Sequence, residues 1–491
     1  MTTAAGDSPT QAERRFPDGF LWGASTAAYQ IEGAVSEDGR GVSIWDTFSH
    51  TPGNIRGGDT GDVACDFYHR MREDLDLAAE LGLSALRFSI AWPRIQPSGR
   101  GPANQRGLDF YRSLVDELKA REITPVITLY HWDLPQSLED DGGWPNRDTA
   151  ERFADYAELV AGSLADAGGY WITVNEPQVI VSQGYRIGTH APGRRDAERA
   201  AAATHTILLA HGLALARLRS VLPHGSPVGI SLDIHPVRVL SAEAIEAAKV
   251  SDAEQNRIFL DPVIHGRYPE HARDHMLPPE ALIEDGDLEL IAAPIDFLGL
   301  NYYSPHYVGL GDWSDLRRNE SPVQGRPGVV DVKPDDLPRT SMGWLVDPSG
   351  LQEMLEKLDA EVPGLPILVT ENGCAAEDYV GPDGTVNDLE RVEFLRGHFE
   401  AAWRAVEAGV NLSGYLVWSL LDNFEWAWGY QKRFGIVFVD YGTQRRLPKR
   451  SASFYQAVIA ANGVSDRHPS ETTLPEPVPT GHVSASAVGS D

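Results

Sequence analysis

Two glutamates in this sequence sit in contexts that suit acid–base chemistry at an acetal carbon. Glu176 stands in ITVNEP and Glu371 in VTENG, each beside an asparagine, and the two are 195 residues apart. Cleaving the bond between a sugar and its substituent needs two carboxyl groups. One protonates the departing oxygen; the other attacks or stabilises the oxocarbenium-like carbon, and a retaining pair stands about 5–5.5 Å apart. Only the fold can bring such distant residues together. Taken singly, a glutamate at a strand end is as readily a partner in a structural ion pair.

The elements that must position them repeat eight times. Short, near-continuously apolar runs occur at 20–24, 85–90, 125–131, 170–177, 227–234, 296–304, 366–373 and 414–420, the pattern of parallel strands covered on both faces. Helical stripes fill the gaps. Leu108, Tyr111, Leu114, Val115 and Leu118 form one, and Val392, Leu395, Phe399, Ala402, Trp403 and Val406 another. Similar segments lie near 70–82, 148–165, 197–220, 241–258, 350–360 and 449–461. Strand then helix, eight times, predicts an α/β protein folded as a single (β/α)8 TIM barrel. An open doubly wound sheet is the rival, but no glycine-rich phosphate turn follows a strand. Polar and aromatic residues gather towards the C-terminal ends of the runs: Gln30, Arg87, His131, Trp132, Asn175, Glu176, Asn301, Tyr303, Glu371 and Trp418. A barrel builds its site on that face. Long loops at about 32–69 and 305–348 are expected to leave the same face and deepen the pocket.

Composition sets the outer limits. At 491 residues and 42% hydrophobic, the chain is long enough to bury a large core. Residues 16–463 read as one catalytic domain, between a small polar N-terminal extension (1–15) and a Pro/Ser/Thr-rich tail (464–491) expected to be disordered. A net charge of −29 argues against nucleic acid or an anionic membrane as partner. Only Cys65 and Cys374 occur, so no disulfide framework is implied. The first residues lack the apolar stretch of a signal peptide, no apolar run of about 18 residues is evident, and a cytoplasmic location is expected. There is no HExxH or paired-cysteine motif, and His205 and His211 are six residues apart on a helix. His69, His131, His190 and His235 are scattered, so neither metal nor cofactor is expected.

More motifs stand beside the glutamates: QIEG (30–33), YHWDLP (130–135), GLNYYS (299–304), WSLLDNFEW (418–426) and KRFGIVFVDY (432–441). In this order, from about Phe16 to Tyr455, they resemble glycoside hydrolase family 1, the β-glucosidase family. The resemblance implies Glu176 as acid/base and Glu371 as nucleophile. It implies Gln30, His131, Asn175, Glu425 and Trp426 as residues gripping the glycone sugar, and Trp418 as the platform beneath it. Asn301 and Tyr303 match groups around the nucleophile and the 2-hydroxyl, Arg87 the arginine beside the nucleophile, and Trp344 the aglycone side. Trp132 and Phe434 complete the expected substrate-binding set. Phe67, Cys374 and Val174 depart from the commoner His, Ala and Leu, and none of them replaces a catalytic group.

The residue types fit these roles. Arg87 and Tyr303 are expected to lower the pKa of Glu371, while burial and the charge on Glu371 raise that of Glu176. The expected activity is hydrolysis of terminal, unphosphorylated β-D-glucosyl residues through a covalent glycosyl-enzyme, with side activity on β-galactosides and β-fucosides. The expected partners are small β-glycosides such as cellobiose. In the phosphoglycosidase branch of the family a Ser takes the place of Glu425 and a Tyr that of Phe434, so the charge of Glu425 is expected to repel a phosphate. Two alternatives use the same barrel: transglycosylation from the same site, and sugar binding without hydrolysis.

Overall fold

Every apolar run becomes a strand in the computed structural model, which describes residues 14–465 apart from 319, 324 and 325. The strands are β1 (Leu21–Ser25), β2 (Ala85–Ser89), β3 (Thr124–Tyr130), β4 (Tyr170–Asn175), β5 (Val228–Asp233), β6 (Phe297–Asn301), β7 (Ile367–Asn372) and β8 (Leu412–Trp418). They pair in parallel, in chain order, and β8 closes on β1. The main helices between and after them are α1 (Phe67–Glu80), α2 (Gln105–Ala120), α3 (Asp148–Leu164), α4 (Ala197–Val221), α5 (Ile258–His265), α6 (Pro348–Glu361), α7 (Leu389–Glu407) and α8 (Arg450–Ala461). This is the expected (β/α)8 barrel.

Period-two alternation sorts the barrel interior by height. At the base, Ala85, Val126, Ile172, Phe297, Leu368 and Leu416 pack into one apolar cluster. Two residues further along three strands the inward positions turn polar: Ala85 gives way to Arg87, Val126 to Thr128 and Leu368 to Thr370. The pairing of β4 with β5 shifts register between Ile172 and Asn175, and that of β7 with β6 between Val369 and Glu371. Such irregularities re-aim side chains. Here they fall on the two strands that carry Glu176 and Glu371 to the mouth.

The stretch 305–348, read from the sequence as loop, contains strands His306–Leu310, Glu320–Pro322 and Val329–Val332, which join Val237–Val239 in a four-stranded sheet. At the other end of the barrel Arg14–Arg15 pairs with Gly463–Val464. The rest of the expected N-terminal extension and tail lies outside the described residues. One helix, α4, is long and apolar enough to cross a membrane, but 83% of its apolar window is buried inside the protein. The sequence reading had found no such stretch. Helix α4 packs instead beside α3 in the outer layer.

Candidate active site

A cavity of about 530 Å³ opens at the C-terminal ends of the strands. His131, Trp132, Glu176, Tyr303, Trp344, Glu371, Trp418, Glu425, Trp426 and Phe434 all line it. The remaining expected residues, Gln30, Arg87, Asn175 and Asn301, are fully buried behind this lining. Thus the whole expected set converges, in two layers.

The inner layer is a continuous chain of hydrogen bonds joining the two carboxyls. Arg87 donates through Nη1 to Glu371 Oε1 at 2.5 Å and through Nη2 to Asn175 Oδ1 at 2.6 Å. Asn301 Nδ2 donates to the same Asn175 oxygen at 3.1 Å and to Glu176 Oε1 at 2.6 Å. The hydroxyls of Ser231 and Thr370 donate to Asn301 Oδ1 at 2.9 and 2.6 Å, which fixes its amide orientation. Tyr303 Oη donates to Glu371 Oε2 at 2.6 Å.

The two carboxyls are equally buried but differently supported. Burial raises Glu371, and Arg87 and Tyr303 oppose the rise. Both partners lower it as expected, but desolvation outweighs them and the net direction is upward. Glu176 is driven much higher, first by burial, then by the charges of Glu371 and Asp233, against one amide hydrogen bond from Asn301 and the more distant charge of Arg87. Glu371 is the member that ionises first, and Glu176 the one that keeps its proton.

In the wall facing these carboxyls and just behind it lie atoms with no partner among the described residues: His131 Nδ1 and Glu425 Oε2 on the lining, and Gln30 Oε1 behind it. Gln30 spends its amide N–H groups on Asn423 Oδ1 and the Phe424 carbonyl, each at 2.9 Å. Buried polar atoms left open in this way cost stability unless a ligand satisfies them. Aromatic faces surround them: Trp132 and Trp426 lie 4.6 Å apart, and His131 stacks 5.8 Å from Trp418. Acceptors, a ring nitrogen and flat apolar faces together match a pyranose. Glu176, Trp132 and Trp426 all have positive φ (47°, 81° and 47°), a strained choice for such residues that marks a site.

Comparison with known proteins shows the family. The family described as Glycosyl hydrolase family 1 matches residues 12–464. The chain belongs to that family. It is 46% identical over 460 residues to a 1,4-beta-D-glucan glucohydrolase of Thermotoga neapolitana, covering 92% of this chain and 100% of the relative. It is 46% identical over 457 residues to a bifunctional beta-D-glucosidase/beta-D-fucosidase of Bifidobacterium breve, covering 91% and 98%. A solved family 1 β-glucosidase of Thermotoga maritima superposes with a TM-score of 0.86 at 44% identity, over 92% of this chain and all of that one. The same enzyme, solved in complex with deoxynojirimycin, also superposes with a TM-score of 0.86.

Two features of the site are not evident from sequence motifs. The outer cavity wall includes Asp233, His235, His306, Asp331 and Lys333. Asp233 and His235 end or follow β5 and obey the strand-end rule; His306, Asp331 and Lys333 come from the unforeseen sheet. The second feature is Glu425, whose carboxyl burial raises to about 8, with Glu371 adding to the rise. In the free site its carboxyl therefore holds its proton more firmly than an ordinary glutamate, which weakens the expected charge repulsion of a phosphate. Lys432 offers no counterpart for a phosphate either, since its ammonium donates to the Ser341 carbonyl at 2.7 Å and pairs with Glu377 at 3.2 Å. Away from the cavity, Asp261, His265 and Glu361 place three possible metal-ligand atoms within 4.8 Å of one another, but Arg257 already pairs with both carboxylates.

Proposed function

We propose that the protein is a retaining β-glucosidase whose catalytic domain spans residues 16–463. The unequal support of its two buried carboxyls carries this reading. Glu371, the lower member, attacks the anomeric carbon of a β-glucoside while Glu176 gives its proton to the glycosidic oxygen. The C1–O bond breaks, the aglycone leaves as an alcohol, and an α-glucosyl ester forms on Glu371. Esterification removes the charge on Glu371, so the pKa of Glu176 falls. Glu176 then accepts a proton from water, whose oxygen displaces Glu371 and restores the β configuration. Arg87 and Tyr303 hold Glu371 aimed and ionised before attack and stabilise it as the leaving carboxylate.

The open atoms of Gln30, His131 and Glu425 receive the glycone hydroxyls over Trp418. The glycone is unphosphorylated glucose, and the similarity to a glucosidase/fucosidase supports side activity on β-fucosides, with β-galactosides differing only at the 4-hydroxyl. A phosphate at the 6-position is disfavoured because the Lys432 ammonium is already held by the Ser341 carbonyl and Glu377. Trp344, 5.4 Å from Tyr303, faces the aglycone, for which cellobiose supplies a second sugar. The deciding experiment is Glu371→Ala: turnover of nitrophenyl β-glucoside is lost, and azide restores it with an α-glucosyl azide as product. Undiminished activity, or a β product, rules out this assignment.

A further inference from the structure

The leaving-group side of the cavity holds a row of polar groups that the two-step reaction above leaves unused. Asp233 ends β5, the strand beside the one that delivers Glu176. The Glu176 amide donates to the Ser231 carbonyl at 2.9 Å, and Gln178 Nε2 donates to the Asp233 carbonyl at 2.8 Å. The turn carrying the acid is thus stitched to the turn carrying Asp233, and both carboxyls line the same cavity. His235 Nδ1 lies 3.9 Å from Asp233 Oδ1. On its other side, His235 Nε2 lies 2.9 Å from Gln255 Oε1, and Gln255 Nε2 lies 3.4 Å from His306 Nε2. His306 Nδ1 in turn pairs with Asp331 at 3.1 Å.

With the Gln255 amide oxygen turned to His235, donor and acceptor counting places the hydrogens along this row. The Gln255 oxygen only accepts, so His235 Nε2 carries a hydrogen. The Gln255 amide donates to His306 Nε2, which leaves the His306 hydrogen on Nδ1, towards Asp331. His235 therefore presents a hydrogen to Asp233 only as the imidazolium; as the neutral ring it presents a lone pair.

From this geometry we propose that Asp233 is a positioning residue for Glu176, an anionic neighbour on the leaving-group side that His235 masks when protonated and exposes when neutral. The inference rests on Glu176 being the acid/base. Groups acting on Glu176 are Glu371, Asp233, Arg87, Tyr303 and Asn301. Those acting on His235 are Asp233, Asp252 and Gln255, which outweigh its burial and raise its pKa, with the His306 ring 5.9 Å away. As pH rises and His235 loses its proton, the bared Asp233 charge strengthens the hold of Glu176 on its own proton. The acid stays loaded on the alkaline side of neutrality. Esterification removes the charge of Glu371 but not that of Asp233, so Glu176 keeps enough basicity to deprotonate water in the second step.

The test is the pH profile of kcat/KM for wild type, Asp233→Asn and His235→Asn, on cellobiose and on dinitrophenyl β-glucoside. Asp233 is partly exposed, and thermal unfolding checks that both variants are folded. With cellobiose, Asp233→Asn moves the alkaline limb down by about one pH unit. His235→Asn leaves the limb at or above its wild-type position. The dinitrophenyl substrate, whose leaving group needs no proton, shows no such displacement. An unmoved limb in Asp233→Asn, a loss equal at every pH, or a lowered limb in His235→Asn overturns the proposal. A wild type that turns over neither substrate overturns the glucosidase reading instead.

Discussion

Arg87 Nη2 meets the side-chain oxygen of Asn175 at 2.6 Å, so the guanidinium that holds Glu371 also holds the residue preceding Glu176. One buried cation therefore ties the nucleophile to the strand end that presents the acid. Lysine has the charge but not the fork. Arg87→Lys is expected to lower kcat/KM on nitrophenyl β-glucoside by about 10²–10³-fold, as loss of a preorganised charge partner does. Arg87 opposes the burial-driven rise of Glu371, so the acid limb of the profile moves to higher pH in the variant. A profile that is scaled but not displaced would show that Arg87 acts on packing alone.

Glu176 is held by one amide and is the carboxyl that keeps its proton. Glu176→Gln removes the transferable proton and preserves the shape. We expect kcat/KM to fall about 10²–10⁴-fold on cellobiose, far less on dinitrophenyl β-glucoside, and the alkaline limb to vanish. An equal loss on both substrates, read from steady-state kinetics, contradicts the acid role.

Glu425 enters binding with its carboxyl raised by burial to about 8, and its Oε2 has no partner among the described residues. Sugar hydroxyls donating to that oxygen favour the carboxylate and lower its pKa on binding. Between the bound and free values, ligand binding must release a proton and tighten as pH rises towards 8. Calorimetry with an uncleavable thioglucoside at pH 7, in two buffers of different ionisation enthalpy, should show up to about one proton released by wild type. Glu425→Gln should show none. Equal release in both proteins places the proton elsewhere.

Asp133 is fully buried, neither of its carboxyl oxygens has a hydrogen-bond partner among the described residues, and burial raises it to about 8. In the unfolded chain an aspartate ionises near 3.9. Between those values the folded protein holds a proton that the unfolded chain lacks, so stability is greatest at the acidic end. It falls by up to about 1.4 kcal/mol per pH unit until about pH 8. Asp133→Asn removes this penalty. Its Tm relative to wild type should climb from pH 5 to about pH 8 and level off above it, and a constant difference across that range would rule out the linkage.

Legibility in the sequence followed locality. Strands such as ALRFS and ILVTEN are contiguous and buried on both faces, so their apolar runs announced the barrel. Glu176 and Glu371 were legible because motif and strand end coincide. The outer wall was not. Val237–Val239 pairs with His306–Leu310 across a long intervening segment, and strands of three to five residues carry too little periodicity to read. His306, Asp331 and Lys333 were hidden with them. Asp233 and His235 stood in plain view after β5, but no neighbouring motif singled them out. The net directions of Glu371 and Glu425 depend on how much solvent the assembled fold removes, which no local pattern encodes.

The short pairing of Arg14–Arg15 with Gly463–Val464 places both ends of the barrel on the face from which the strands start. The same seam makes the domain a natural subject for circular permutation. Joining its ends across the seam and opening the chain at a surface turn would relocate the termini while keeping every contact between Arg87, Asn175, Glu176 and Glu371.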